Sequence, residues 1–455
     1  MSHRKIAVVI LAAGLGTRMK STLPKVLHPL AGRPMIRHLL ETVDGLDPDQ
    51  VVVVVGEAYG QLSEAVAPYP VVTQAEQRGT GHAVRMARQQ LSGFDGDVFV
   101  LFGGDPLITL ETLEAMLHVR ASEDNPAVVV LGFQAADPGA YGRLITSEDG
   151  TLEAIVEARD ASPEQLEITL CNSGVMLIDG AHIWQLLDRV GCDNAKNEYY
   201  LTDIVGLARD QGLDCRFVEG DEEELLGVDN RVDLALAELI MQDRLRTRAM
   251  ENGATLSDPG SVFFSFDTVL GEDVSVGPNV VFGPGVTVED GATIKAFSHL
   301  EGAHVAVGAT VGPYARLRPG AQIGAGAKIG NFVEIKNTVV HPGAKISHLS
   351  YIGDAEVGED ANIGAGTITC NYDGFFKSKT VIGKGAFIGS NTALVAPVTI
   401  GEGAVIGAGS TISRDVEADS LALTRADHRA IVGWAKSNRD NKSALKAKQG
   451  NNKKR

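Results

Sequence analysis

Short aliphatic runs open the chain: IAVVIL begins at Ile6, VVVVV fills 51–55, VFVLF fills 98–102 and AVVVLGF fills 127–133. None alternates apolar with polar residues, which is the pattern of strands buried on both faces. Between them lie longer amphipathic stretches, including those from Met35 to Val43 and from Gly81 to Leu91, that predict helices. Strands alternating with helices in this way build an α/β domain with a Rossmann-like, mainly parallel sheet. Ligands of such sheets sit at the carboxyl ends of the strands.

Beyond about residue 262 the period changes to six. Large apolar residues recur at Val276, Phe282, Val288, Ile294 and Leu300, again at Leu317, Ile323, Ile329 and Ile335, and again at Ile382, Ile388, Leu394, Ile400, Ile406 and Ile412. This is the hexapeptide-repeat pattern of a parallel β-helix, in which one residue of each short strand points into a shared column and small residues take the corners. An antiparallel sandwich would show period two and irregular strand lengths instead. The repeat breaks over 369–380, TCNYDGFFKSKT, which predicts a loop leaving the coil. Residues 230–252 lack Gly and Pro and carry Leu, Ile and Met at helical spacing, so they predict a connecting helix ended by Gly253. The organisation expected is an α/β domain over 1–230, a linker helix over 231–252, a β-helix domain over 253–435 and a disordered basic tail over 436–455.

Composition acts on this picture mainly by exclusion. At 455 residues the chain exceeds what one hydrophobic core organises. A net charge of −17 repels polyanions and argues against nucleic acid or anionic membranes as general partners, while leaving room for a locally basic pocket. No apolar stretch approaches the ~20 residues of a membrane span, and VVILAAG is too short for a secretory signal, so a cytoplasmic location without membrane insertion is expected. Cys171, Cys192, Cys215 and Cys370 show neither zinc-site nor disulfide spacing and predict plain thiols.

Candidate chemistry begins where the first strand ends. LAAGLGTRM runs from Leu11 to Met19, with Pro24 and Lys25 shortly after. A glycine-rich turn after a strand offers backbone N–H groups to phosphates, and Arg18 and Lys25 can neutralise charge developed in phosphoryl transfer. The turn lacks the Gly-Lys-Ser/Thr ending of a P-loop, and its glycines do not fit GxGxxG. Taken alone, it could equally be a strand-to-helix turn with two solvated basic residues.

It does not stand alone. PKVLHPLAGRPM, QAEQRGTGHA and a strand ending in GGDPLI follow it, then YGR at 141–143, IVE at 155–157, NSG at 172–174 and NEYYLTD at 197–203. The later half adds RLRPGAQIGAGAKIGNFVEIKN, KISHLSYIGDAEVGEDANIGAGTITCNYDG, IGSNT, IGAGS and LTRAD. With these motifs in this order, the chain resembles the bifunctional N-acetylglucosamine-1-phosphate uridyltransferase and glucosamine-1-phosphate acetyltransferase family. The resemblance implies a nucleotidyltransferase (pyrophosphorylase) domain followed by an acetyltransferase domain built as a left-handed β-helix. It also implies a homotrimer whose acetyl sites form between neighbouring subunits. The implied reactions are acetyl transfer from acetyl-CoA to glucosamine 1-phosphate, then uridylyl transfer from UTP to N-acetylglucosamine 1-phosphate. Pyrophosphate leaves, and the UDP-N-acetylglucosamine made feeds peptidoglycan, lipopolysaccharide and lipid A synthesis.

Carried over by position, the resemblance puts Leu11, Ala12, Ala13, Gly14, Gln74, Gly79, Thr80, Phe102 and Gly103 around the nucleotide, with Arg18 and Lys25 as catalytic cations near its phosphates. The acetylated sugar would meet Gly142, Glu157 and Asn172, Asp229 would be a further contact of UTP or UDP-N-acetylglucosamine, and Mg²⁺ would be held by Asp105 and Asp229. Two departures touch that metal. The family motif is an aromatic followed by Gly-Asp-X-Pro-Leu, whereas Phe102-Gly103-Gly104-Asp105-Pro106-Leu107 puts Gly104 in the register of the metal-binding Asp. Asp105 could also be a turn residue before Pro106. The second ligand, an Asn in the family, is Asp229 here, which is likewise a hard oxygen donor.

For acetyl transfer to an amine, a base working near neutrality is needed, and histidine has the nearest unperturbed pKa. The resemblance selects His348, in SHLSY. It gives Arg318, Lys336, Tyr351 and Asn362 to the amino sugar phosphate, and Asn371 and Tyr372 to both substrate and cofactor. Ala365, Ser390, Ala408 and Arg425 would line the acetyl-CoA channel, and Glu334 either supports the site or is a solvated corner residue. Two other readings stay open: a single-activity pyrophosphorylase with a structural β-helix, and a non-catalytic scaffold.

Overall fold

The computed structural model describes residues 4–57 and 60–452. It contains two compact units, Met1–Leu270 with Val281–Val286, and Gly271–Val280 with Thr287–Arg455.

In the first unit the main path of a nine-stranded sheet runs in the order Cys215–Glu219, Val128–Gln134, Leu170–Asp179, Asp97–Phe102, Ile6–Ala12, Gln50–Val55, Val71–Thr73. Pairing is parallel except around Leu170–Asp179, which runs antiparallel to both neighbours. Alternate residues of the aliphatic runs enter different cores. Val8, Ile10, Val53, Phe99 and Leu101 pack on one side, and Val9, Leu11, Val52, Val98 and Val100 on the other. Two covered faces explain why these strands read as unbroken apolar runs. The expected helices form as Met35–Gly45 and Thr80–Met86, the latter closing in turns rather than continuing to Leu91.

The helix Arg231–Glu251 starts at a capping box, with Asn230 accepting from the backbone of Val232 and Asp233. It buries Ala237, Ile240, Met241 and Leu245. Gln242 exchanges two hydrogen bonds with the backbone of Phe264, at 2.7 and 2.8 Å. The helix and the chain as far as Leu270 therefore pack with the first unit, beyond the expected boundaries at 230 and 252.

In the second unit the period of six deals residues in turn to three columns. One runs Val276, Ile294, Val311, Ile329, Ile346, Ile363, Ile388, Ile406 through parallel pairs in register. A second runs Val288, Val305, Ile323, Val340, Val357, Ile382, Ile400, and a third includes Leu300, Leu317, Ile335 and Ile352. All are buried, which is the packing of a parallel β-helix. On one outer corner the rings of Phe297, Tyr314 and Phe332 stack at 4.8 and 5.1 Å between centroids.

The break in the repeat is narrower than the sequence suggests. Ile368–Cys370 and Thr380–Ile382 remain strands, and the chain leaves the coil only over 371–379, with Tyr372 bridged to Lys377. The tail departs from expectation: a disordered segment was expected over 436–455, and a helix runs Trp434–Asn452. Its scarcity of apolar residues limits burial, but Ala, Lys, Leu and Gln without proline favour a local helix. Residues 453–455 of that expectation lie outside the described residues.

Candidate active sites

In the first unit the glycine-rich turn follows the carboxyl end of Ile6–Ala12, where a doubly covered sheet opens. A cavity of about 260 Å³ there is lined by Leu11, Ala12, Ala13, Gly14, Lys25, Gln74, Gly79, Thr80 and Phe102, together with Gly104, Gln77 and Glu198. Gly79 has φ +108°, and a Cβ on it would lie 2.5 Å from the Tyr199 carbonyl, so only glycine fits. A second cavity, about 580 Å³, has Arg18, Glu157 and Asp229 in its wall with Tyr141, Arg159, Lys196 and Tyr200. Gly103, Gly142 and Asn172 line neither cavity. Gly142 and Asn172 meet each other, the Asn172 N–H donating to the Gly142 carbonyl at 2.8 Å. Gln77 and Glu198 belong to motifs visible in the sequence, but nothing in spacing alone turns them toward the cavity.

Asp229 is gripped from both sides, Arg18 at 2.8 Å on Oδ2 and Lys25 at 3.0 Å on Oδ1. Two cations around one carboxylate leave excess positive charge for an anionic ligand. Asp105 does not join this group at the surface. It is 9% exposed and lines neither cavity, and burial pushes its carboxyl up to about 7 against the pull of Lys25, with Asp229 adding to the rise. Position 104 faces the cations instead, since a Cβ on Gly104 would lie 2.7 Å from Lys25 Nζ. Among the described residues no three carboxylate, His or Cys side chains gather as a metal-binding group. Asp229 is thus a hard oxygen donor set among the cations, while Asp105 is buried away from both cavities.

In the second unit one corner of the β-helix gathers His348, Ala365, Ser390 and Ala408, while Lys336 lines a cavity that none of these four borders. Asn331 and His348 are register partners on adjacent coils. His348, Ala365, Ser390 and Ala408 each follow an inward residue of the first column, Ile346, Ile363, Ile388 and Ile406, by two positions. They therefore form a line up the corner, one coil apart, at about 4.8 Å per coil. Arg425 closes it, its guanidinium 3.3 Å from where a Cβ on Gly407 would sit. Asn362 lies on the sheet entering the corner, paired with Lys345, and Tyr351 on the sheet leaving it, paired with Glu334. Glu334 accepts from Arg318 at 2.8 Å, which gives it a partner rather than a solvated end.

A cavity of about 890 Å³ beside this face is lined by Lys336, Asn337, Asp354, Lys377 and Lys379, among others. Asp354 is the hub. Although burial opposes it, hydrogen bonds from Asn337 and Asn371, with Lys336 at 3.6 Å, hold its carboxyl below the usual carboxylate range. The ammonium of Lys336 depresses the pKa of Lys377 beside it. Lys377 and Asp354 were not among the expected residues; both sit inside quoted motifs, but their convergence needs the loop folded back on the coil. Tyr372 turns its hydroxyl to the Gly374 carbonyl at 2.6 Å, within the loop.

A relative from Paramagnetospirillum magneticum, described as bifunctional protein GlmU, is 60% identical over 449 residues, covering 99% of this chain and all of the relative. Another of that description, from Rhodospirillum rubrum, is 63% identical over 95% of this chain and 96% of its own. The chain belongs to the GlmU family. A third GlmU, from Zymomonas mobilis, is 49% identical over 97% of this chain and 99% of the relative. Both halves of a GlmU are also matched by domain families: the MobA-like NTP transferase domain over 8–191, and the bacterial transferase hexapeptide over 267–302 and 379–414. This GlmU-family chain is thus a transferase with a nucleotidyltransferase half and a hexapeptide acyltransferase half. Among its described residues no helix is long and apolar enough to cross a membrane.

Proposed function

We propose that the second unit acetylates glucosamine 1-phosphate with acetyl-CoA, and that the first couples the resulting N-acetylglucosamine 1-phosphate to UTP, releasing pyrophosphate. The observation that carries the reading is the corner line of His348, Ala365, Ser390 and Ala408, a base followed by three small residues along which an extended thioester cofactor can lie. It favours two activities over a pyrophosphorylase with an idle β-helix, or over a scaffold.

At that corner Asn331 Oδ1, 2.6 Å from His348 Nδ1, accepts a hydrogen bond from Nδ1–H and leaves Nε2 as the bare base. Nε2 takes a proton from the amine as nitrogen attacks the thioester carbon, and the thiolate of CoA departs. Lys336 and Lys377, with Arg318 nearby, suit the sugar phosphate. In the first unit a phosphate oxygen of the sugar attacks the α-phosphorus of UTP in line, and Arg18 and Lys25 offset the charge that gathers on the phosphates. Mg²⁺ at Asp229 would add charge neutralisation on the triphosphate. A homotrimer is part of the reading, supported by the exposed ridge of Phe297, Tyr314 and Phe332. So is the cytoplasm, where both co-substrates are made.

Two assays on the purified chain test this: CoA release with glucosamine 1-phosphate, and pyrophosphate release from UTP with N-acetylglucosamine 1-phosphate. Both reactions proceed, and His348→Ala abolishes only the first. Loss of either in the unmodified chain overturns the corresponding half.

A further inference from the structure

Gln74 is 3% exposed and reaches the nucleotide cavity from beneath. Its amide nitrogen has two acceptors: the Gly79 carbonyl at 3.2 Å and His82 Nδ1 at 3.0 Å. A primary amide has two N–H bonds, and these contacts use both. The amide oxygen is then the end left for the cavity. Rotating the amide by half a turn would set that oxygen against the Gly79 carbonyl and the Nδ1 lone pair, two repulsive contacts in place of two hydrogen bonds.

The second acceptor exists only if His82 carries its proton on the other ring nitrogen. Its surroundings keep the ring neutral: burial first, then Arg78 and Arg85, lowers its pKa, against a hydrogen bond with the Glu76 backbone and the Glu76 carboxylate. The Gly79 carbonyl fixes the NH2 end of Gln74 toward the ring, and a neutral ring meets that N–H with its Nδ1 lone pair, its proton on Nε2. Tyr199, whose ring lies 6.3 Å from that of His82, is covered by both arginines. The first turn of the helix is pinned to the same segment, the Gly81 N–H donating to the Tyr199 carbonyl at 2.8 Å and Thr80 accepting from Leu201 at 3.0 Å.

We infer that His82 is a positioning residue which locks the Gln74 carbonyl toward the base, so that the site selects a pyrimidine presenting an N–H between two carbonyls and rejects one presenting a lone pair there. Uracil is of the first kind and cytosine of the second. The inference rests on reading this cavity as the UTP site. The Gly79 carbonyl alone biases the amide the same way, but holds it by one bond instead of two.

The test compares UTP with CTP as co-substrates of N-acetylglucosamine 1-phosphate, by pyrophosphate release. His82→Leu lowers the UTP-over-CTP ratio of kcat/KM at least tenfold, mostly through KM for UTP. His82→Asn, which restores an acceptor, keeps the ratio within about threefold of the unmodified chain. The acetylation rate of the same preparations, set by the other unit, stays constant. An unchanged ratio in His82→Leu reduces His82 to packing and overturns the inference. If His82→Leu does not fold, ¹⁵N-histidine NMR of the unmodified chain decides: an unprotonated Nδ1 at pH 7.5 supports the inference, and a protonated one overturns it. No UTP turnover by the unmodified chain, with acetylation intact, instead overturns the reading of the cavity.

Discussion

Nδ1 of His348 lies 2.6 Å from Oδ1 of Asn331, its register partner one coil away. The pair sets the tautomer and aim of the imidazole, because the amide oxygen accepts from Nδ1–H and leaves Nε2 free. Asn331→Ala therefore lowers kcat for acetyl transfer by about ten- to a hundredfold, part of the roughly 10²–10⁴-fold that general-base catalysis contributes. Asn331→Asp, which keeps an acceptor oxygen, retains more of that kcat than Asn331→Ala. A kcat unchanged in Asn331→Ala would show that the contact is idle.

Gly104 and Asp105 can be exchanged in role. Lys25 Nζ, 2.7 Å from the Cβ that Gly104 lacks, is the far end of a flexible side chain and yields to a carboxylate. The double substitution Gly104→Asp with Asp105→Ser puts a second acid beside Asp229 and tightens Mn²⁺ binding by about tenfold or more, about 1.4 kcal/mol for each tenfold. Mn²⁺ titration followed by electron paramagnetic resonance measures this without turnover. Equal affinities would mean that position 104 does not face the metal.

Lys377 reaches the acceptor cavity from the loop rather than from the coil. Removing one charged hydrogen-bond donor from a phosphate costs about tenfold or more in affinity. Lys377→Ala accordingly raises KM for glucosamine 1-phosphate by about that factor, with kcat little changed. A steady-state analysis with KM unmoved would take Lys377 out of the site.

His38 makes the first unit acid-sensitive. Its ring is 5% exposed, with Nε2 donating to the Leu30 carbonyl at 2.9 Å, and burial above all brings its pKa from 6.5 to about 4, Arg33 adding to the drop and the Leu30 bond opposing it. The folded pKa is below the unfolded one, so the stabilisation is complete above pH 6.5 and is lost as pH falls toward 4. At 1.36 kcal/mol per unit the loss comes to about 3 kcal/mol. Urea titrations at pH 7 and pH 4.5 show a smaller pH dependence in His38→Gln than in the unmodified chain.

The columns of the β-helix were legible because every sixth residue must be apolar for the coil to close, so Val276 through Ile412 mark their own places. The corner line was half legible. His348, Ala365, Ser390 and Ala408 came through resemblance, but Asn331 did not, because its meeting with His348 depends on coil stacking and not on any local pattern. The GGDP motif announced a shifted acid, yet only the packing shows Asp105 turned inward and Gly104 turned to the cavity. His82 was hidden for a similar reason: a histidine in the first turn of a helix reads as packing until Gln74 is found against it. The tail misled because low hydrophobicity speaks against burial and not against a helix.

The excursion over 371–379 leaves the coil after Cys370 and returns at Thr380 without disturbing the ladder: Tyr351 still pairs with Ile368, Ala355 with Thr380, and Cys370 with Val395. Scaffold and acceptor contacts are thereby uncoupled in inheritance. A lineage can lengthen, shorten or recharge this hairpin, and so try new acceptors, while the columns that hold the fold and the corner that carries the base keep their register.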